Sequence, residues 1–266
     1  MSSRYRLLLS VAALMLCNTI SAQRTDSIYT YKKEYTRMFA VGATDILDTY
    51  LSPEKYRGTE LRYLFQDNRR LHTHLAQTMI HQGSFGTVEN RAKTGSELTG
   101  AYNFQYIMRY VWQLTPALEV AAGGGADLNL GFLYNTRNGN NPAQLHASLN
   151  ISPAVALHYY FGGKWKFRLN YEAMAPAVGI MFSPEYGQSY YEILDDSKKD
   201  ENLVFTTTAS TPSFRQLLSI DIRPVKKWKR SWLRVGYLGD YQQAQVNHLK
   251  YHQYSHMFMM GYVKGM

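Results

Sequence analysis

The sequence predicts an all-β fold: a transmembrane antiparallel up-and-down β-barrel of about twelve strands, with ten as the alternative. Three observations lead there. Segments of about ten residues alternate apolar or aromatic side chains with polar ones, the period-two pattern of a strand between two environments. Outside the N-terminal segment, no stretch holds the 18 or so consecutive apolar residues that a spanning helix needs. The chain also opens on an export signal, which together with an aromatic outer face and a polar inner face is the signature of an outer-membrane barrel.

The signal occupies residues 1–22. Arg4 and Arg6 form a basic start, Leu7 to Cys17 an apolar stretch, and Asn18 to Ala22 a small, polar exit before Gln23. Leu16, not a small residue, precedes Cys17, so the thiol is expected to leave with the signal instead of accepting lipid. What remains has no cysteine, which excludes disulfides, thiol nucleophiles and zinc-thiolate sites. Residues 23–35 are polar and read as a periplasmic lead-in, and 36–266 as the barrel.

Strand-like runs follow in order. They fall near 36–46, 59–68, 70–81, 97–113, 118–134, 144–160, 164–175, 177–183, 187–194, 203–220, 230–241 and 252–264. The fourth is the clearest: Tyr102, Phe104, Tyr106, Met108, Tyr110 and Trp112 share one face, and Asn103, Gln105 and Arg109 share the other. Pro176 and Pro184 weaken the eighth and ninth, because proline donates nothing to a ladder. Asn68-Arg69-Arg70, Leu114-Thr115-Pro116-Ala117 and Gly162-Gly163-Lys164 are short enough for periplasmic turns. The stretches 47–58, 82–96, 135–143, 195–202 and 242–251 read as longer extracellular loops. The last strand ends Tyr262-Val263-Lys264-Gly265-Met266, so Tyr262 stands in for the terminal aromatic that barrel-assembly machinery reads.

A net charge of +9 raises the question of nucleic acid, but the basic residues are scattered. The tightest cluster, Lys226-Lys227-Trp228-Lys229-Arg230, suits a turn at lipid headgroups, so no nucleic-acid partner is expected and outer-membrane lipids are. A mean hydropathy of −0.36 fits a wall that shows lipid only every second residue. The 22 tyrosines suit an aromatic girdle.

Extending the alternation places polar residues in the lumen. Glu119, Asp127 and Asn129 lie opposite Val120, Leu128 and Leu130, and Arg168 and Glu172 opposite Phe167, Leu169 and Tyr171. Arg215, Asp221, Arg234 and Asp240 follow on later runs. Their signs are mixed, and a low-dielectric interior strongly favours pairing, so the expected lumen is plugged by its own ion pairs. A turn at Thr115-Pro116 sets Gln105 opposite Asp127 and Asn103 opposite Asn129. Gly123-Gly124-Gly125 predicts a bend or a close approach by a neighbour.

His146-Ala147-Ser148, with Asn150 beyond, resembles the base and nucleophile of outer-membrane phospholipase A, a barrel enzyme. Parity argues against that activity: Leu145, Leu149 and Ile151 take the lipid side, leaving His146 and Ser148 to the lumen. His72 with His74, and His146 with His158, pair on strand faces but lack a completing acidic or thiol ligand. No catalytic residue, metal or cofactor is expected.

Three loop segments carry a family likeness: Leu47-Asp48-Thr49-Tyr50-Leu51-Ser52-Pro53 with Tyr56-Arg57-Gly58; Tyr134 to Ala143; and Ser183 to Glu192. On these the chain resembles an uncharacterised domain-of-unknown-function family of Bacteroidetes outer-membrane β-barrel proteins. The resemblance implies location and fold, and transfers no activity or site residues. Tyr50, Tyr134, Arg137, Tyr190 and Tyr191 make a candidate extracellular ligand surface, since tyrosine stacks on sugar rings and arginine pairs with acidic headgroups. Three functions follow: a structural or binding barrel with a plugged polar lumen and an unknown ligand, a narrow channel for small solutes, and a membrane-embedded hydrolase.

Overall fold

The computed structural model describes residues 32–139, 141–161, 167–194, 202–223, 228 and 230–266. The signal, most of the lead-in, the turn at Gly162-Gly163-Lys164, residues 195–201 and most of the 226–230 cluster lie outside the described residues.

Among the described residues there are twelve strands and one short helix: β1 (Lys33–Asp48), β2 (Tyr56–His72), β3 (Leu75–Asn90), β4 (Ser96–Thr115), β5 (Leu118–Asn135), β6 (Ala143–Phe161), β7 (Phe167–Met174), β8 (Val178–Phe182), α1 (Tyr190–Leu194), β9 (Leu203–Thr207), β10 (Phe214–Ile222), β11 (Ser231–Val246) and β12 (Leu249–Gly265). All neighbours are antiparallel, and β1 pairs with both β2 and β12, which closes the sheet. The ring is β1 to β7 followed by β10 to β12. β8 and β9 form a short hairpin outside it, β8 on the upper part of β6 and β9 on β8. Among the described residues closure pairs the ring strands on both sides, save at upper ends such as β11 above Tyr241, which pairs only with β12; such closure is the condition for spanning a bilayer with strands. No helix among the described residues is long and apolar enough to cross a membrane.

Alternation decides which face is which. Phe39 is 69% exposed while its neighbour Met38 is fully buried. Leu61, Phe85, Tyr106, Trp112, Phe132, Ile151, Leu218 and Phe258 are likewise exposed on the outer wall. The lower end carries Lys33, Gly265 and the tight turns at Thr73-His74 and Pro116-Ala117; the upper end carries the segments 49–55, 91–95, 136–139 and 183–194.

Several boundaries differ from expectation, each for a local reason. The wall begins at Lys33, inside the 23–35 lead-in, because Glu34 and Thr36 already alternate inward. Asn68-Arg69-Arg70 is no turn: Arg69 pairs with Asp67 at 2.8 Å and Arg70 with Glu119 at 2.5 Å, so β2 runs on to His72. His74 therefore sits in the turn, its Nδ1 3.1 Å from the Val111 carbonyl, instead of sharing a strand face with His72. The glycines of 82–96 do not make a loop, since β3 continues to Asn90 with Phe85 outward and Val88 inward. Residues 242–251 are not a loop: β11 runs to Val246 and β12 starts at Leu249, and Asn247 and His248, with φ of 47° and 60°, make a two-residue hairpin turn with the left-handed pair that the type I′ geometry requires.

The run 187–194 contains helix α1, not a strand. Ser189 caps it: Glu192 Oε2 accepts from the Ser189 amide at 2.8 Å and from its hydroxyl at 2.9 Å. This Ser-x-x-Glu spacing is the capping-box signature. The run 203–220 is divided into β9 and β10 by residues 208–213.

The β4–β5 register sets Gln105 opposite Asp127 and Asn103 opposite Asn129, as the turn at Thr115-Pro116 predicts. The glycine run in β5 serves a close approach: a Cβ at Gly123 or Gly125 would lie 2.0 Å from the carbonyl oxygens of Met108 and Tyr106.

Candidate functional site

The inner face of the ring is layered. In the lower layer Arg168 donates through both terminal nitrogens to Glu34 at 2.9 and 2.8 Å and through Nε to Asp221 at 2.5 Å. Arg234 binds Asp221 from the other side at 2.6 and 2.9 Å. Two guanidiniums and two carboxylates thus cancel, and Asn170 adds a bond to Asp221 at 3.1 Å. Just above, Glu172 accepts from Gln66 at 2.9 Å and from Arg109 at 3.2 Å. Glu119 is held by Arg70, and His158 by Asn170 at 2.8 Å.

The middle layer is apolar. Met38, Leu64, Ile80, Ile107, Met174, Leu217, Leu238, Met257 and Met259 are buried together inside the ring. Long unbranched methionines fill an irregular cross-section well, because they adapt to the gaps between larger neighbours.

The upper layer is polar again. Arg62 donates to Glu60 at 2.6 Å and to Asp240 at 2.5 Å, and Ser255 donates to Glu60 at 2.5 Å. Arg215 bridges Asp240 at 3.1 Å and the side-chain oxygen of Asn103 at 2.8 Å, and approaches Asp127 at 3.6 Å. Asn103 donates to Asp127 at 2.5 Å and to Asn129 at 2.8 Å, while Gln105 donates to Asn103 at 2.8 Å. Opposite charges packed this tightly stabilise one another only where hydrogen bonds satisfy both partners; Arg62, Glu60 and Asp240 meet that condition, while the buried Arg215 Nε makes no hydrogen bond.

The upper end is partly covered by the 49–55 loop. Leu51 turns inward against Ile46, Tyr56, Val88 and Leu133. Tyr50 packs on this cluster and donates from its hydroxyl to the Gln188 carbonyl at 2.9 Å. Burial, followed by the nearby Tyr190 and Asp48, pushes the Tyr50 phenol up to about 12. His146 Nε2 lies 2.9 Å from Asp48, and its ring stacks on Tyr251 with centroids 4.0 Å apart.

His146 and Ser148 therefore do not act on each other. The Ser148 hydroxyl accepts from Asn150 at 3.3 Å and from Asn129 at 3.4 Å. His146 stands near the top of β6 and His158 near its base, where each has its own partner. Of the five candidate rim residues, Tyr134 is exposed on the outer wall and Tyr191 is exposed on α1. Arg137 donates to Thr94 at 2.9 Å, and the Tyr190 hydroxyl is engaged with the backbone of Ala143 at 2.7 Å. Tyr50, Arg137 and Tyr190 are thus tied into contacts between loops, whereas Tyr134 and Tyr191 are exposed.

Sequence reasoning missed Glu34, Glu60 and Arg62, and the whole apolar layer. Glu60 and Arg62 were findable: they share a face with Gln66, two residues apart and opposite in charge. The apolar layer carries no such signal, because mid-strand both faces are apolar.

An antiparallel ring with an apolar outer wall and a charged, paired interior is a β-barrel of the outer-membrane type. The chain belongs to the family described as "Protein of unknown function (DUF3316)", whose model matches residues 7–266. No curated protein matches it. Among solved structures it is similar to the translocator domain of the autotransporter NalP from Neisseria meningitidis, at 8% identity and a TM-score of 0.43 over 100% of this chain and 98% of that one. It is similar also to the transport unit of the autotransporter AIDA-I from Escherichia coli, at 7% identity and a TM-score of 0.47 over 97% of each chain. The Neisserial surface protein A is a third, at 12% identity and a TM-score of 0.37 over 88% and 97%.

Proposed function

We propose that the protein is an integral outer-membrane barrel whose lumen is closed to passive diffusion, with a structural or ligand-binding role in its upper half. One observation carries this reading: a neutral ion-pair layer, an apolar layer and a second ion-pair layer succeed one another across the lumen. A hydrated solute would have to displace fixed, paired charges and then cross a methionine-lined constriction, and neither is favourable. On this reading the outer wall contacts lipid directly and the barrel-assembly machinery inserts the chain, a proposal for which the outward Tyr262 on β12 is the supporting feature. The ligand is undefined by the rim, where Tyr50, Arg137 and Tyr190 are taken up by loop contacts and Tyr134 and Tyr191 are exposed.

Proteoliposome swelling tests the closed lumen. Vesicles carrying the purified protein should swell in isosmotic arabinose no faster than protein-free vesicles. Swelling that rises with the amount of protein would refute the reading and favour a solute channel.

A further inference from the structure

Near its top, β6 exchanges a strand neighbour for a helix. β8 stops at Phe182, opposite Ala147, while β6 continues up to Ala143, paired there only with β5 among the described residues. α1 stands beside this end of β6. A strand would lie about 4.8 Å away and close the surface, whereas a helix about 10 Å across stands off and leaves room between. At the top one residue fixes the separation: the Tyr190 hydroxyl donates to the Ala143 carbonyl and accepts from the Ala143 amide, both at 2.7 Å. Below, the Ser183 amide donates to the Asn202 carbonyl at 2.9 Å, which sets Asn202 beside the end of β8.

Between these two ties lies a cavity of about 550 Å³, against about 50 and 90 Å³ for cavities in the upper and lower lumen. Phe132, Leu145 and Phe182 line it from the outward faces of β5, β6 and β8, and Tyr190 and Ile193 line it from α1. No charged side chain is among the described residues of the lining. Asn202 supplies a polar end. It is 2% exposed, and neither its Nδ2 nor its Oδ1 has a hydrogen-bond partner among the described residues. An amide buried this way has lost its water and gained nothing in return, so a ligand that completes it is favoured. Below the cavity the outer wall stays apolar, with Leu149 and Ile151 of β6 and Val178 and Ile180 of β8 all exposed.

We propose that this groove binds a fatty amide, one unbranched acyl chain ending in a neutral carboxamide, at the upper rim of the outer wall. This rests on the reading of that wall as lipid-facing and names a ligand for it. The volume lies within the roughly 300–1,000 Å³ of sites that enclose small ligands, and the lining suits a hydrocarbon chain. The chain leaves downward along Leu149 and Ile180, toward the bilayer. A carboxamide carries an N–H donor and a carbonyl acceptor together, so it satisfies the Asn202 Oδ1 and Nδ2 in one pairing. A carboxylate satisfies only Nδ2, sets its charge against Oδ1, and meets no cation among the described lining residues.

The test is equilibrium binding of tritiated decanamide to the protein in lipid nanodiscs, with retention by empty nanodiscs subtracted. Saturable binding is expected, with acetamide and ionised decanoate competing about ten-fold more weakly or worse. Leu145→Trp, at an exposed position on the lining, should fill the groove and weaken binding about ten-fold. Leu149→Trp, equally outward on β6 but off the lining, should leave it unchanged. Asn202→Leu, similar in shape, should erase the preference for decanamide over decanoate. Retention no greater than that of empty nanodiscs, acetamide competing as well as decanoate, or Leu145→Trp and Asn202→Leu binding as wild type would overturn the site. The mobility shift between unboiled and boiled samples reports the barrel separately. A shifted protein that does not bind counts against the groove alone, and an unshifted one counts against the lipid-facing wall on which both readings rest.

Discussion

Asp221 is buried at the centre of the lower layer and is the shared acceptor of Arg168, Arg234 and Asn170. Asp221→Asn would leave two guanidiniums to share Glu34, an uncompensated buried charge, and should cost about 3–5 kcal/mol. A fall in the urea midpoint of the lipid-reconstituted protein measures this; an unchanged midpoint would mean the pairs are not closed in the bilayer. At Ser148 the expectation is different. Its hydroxyl accepts from amides while His146 is engaged with Asp48, so Ser148→Ala should leave fatty-acid release from detergent-dispersed phospholipid at the wild-type background. Turnover by wild type that vanishes in the variant would restore the hydrolase reading. Inward polar residues such as Asn103, Arg168 and Arg234 were legible because they interrupt an apolar alternation. Glu34 was not, since it lies in a segment polar on both faces.

Elements with strict alternation and tight turns, β4 to β6 above all, were legible almost to their ends. Those that combine two signals were not. Tyr190-Tyr191-Glu192-Ile193 is rich in residues that favour strands, yet the Ser189–Glu192 cap turns it into a helix. Gly83, Ser84 and Gly86 look like loop punctuation, yet β3 keeps them in its ladder. The 49–55 loop carries a prediction of its own. The Tyr50 phenol must be neutral to donate to Gln188, and its folded value is pushed up to about 12 from an unfolded value near 10. Its contribution to closing the loop is therefore fully present below about pH 10 and is lost as pH rises toward 12. Protection factors of the 49–55 amides, taken relative to the intrinsic base-catalysed rate at each pH, should fall across that window in wild type. Tyr50→Phe should have lower protection factors that do not change across it; a Phe variant whose protection still falls would assign the titration elsewhere.

At the scale of the whole molecule, one ring of ten strands reconciles an apolar exterior with a charged interior, and a period-two pattern announced both. The partition of that interior was hidden. Met38, Ile107 and Met257 face inward beside the outward apolar residues Phe39, Tyr106 and Phe258, so little contrast marks the apolar layer, and only closure of the ring brings them together. The break between β9 and β10 was visible only as an irregular start to a long run, because its meaning depends on what β8 and β11 do beside it. Single-channel recording in a planar bilayer tests the central claim, a membrane-spanning barrel without a through-path. Purified, refolded protein that shows the mobility shift between unboiled and boiled samples should insert without producing current steps above bilayer leak. Stable, ohmic steps that scale with salt concentration would contradict it.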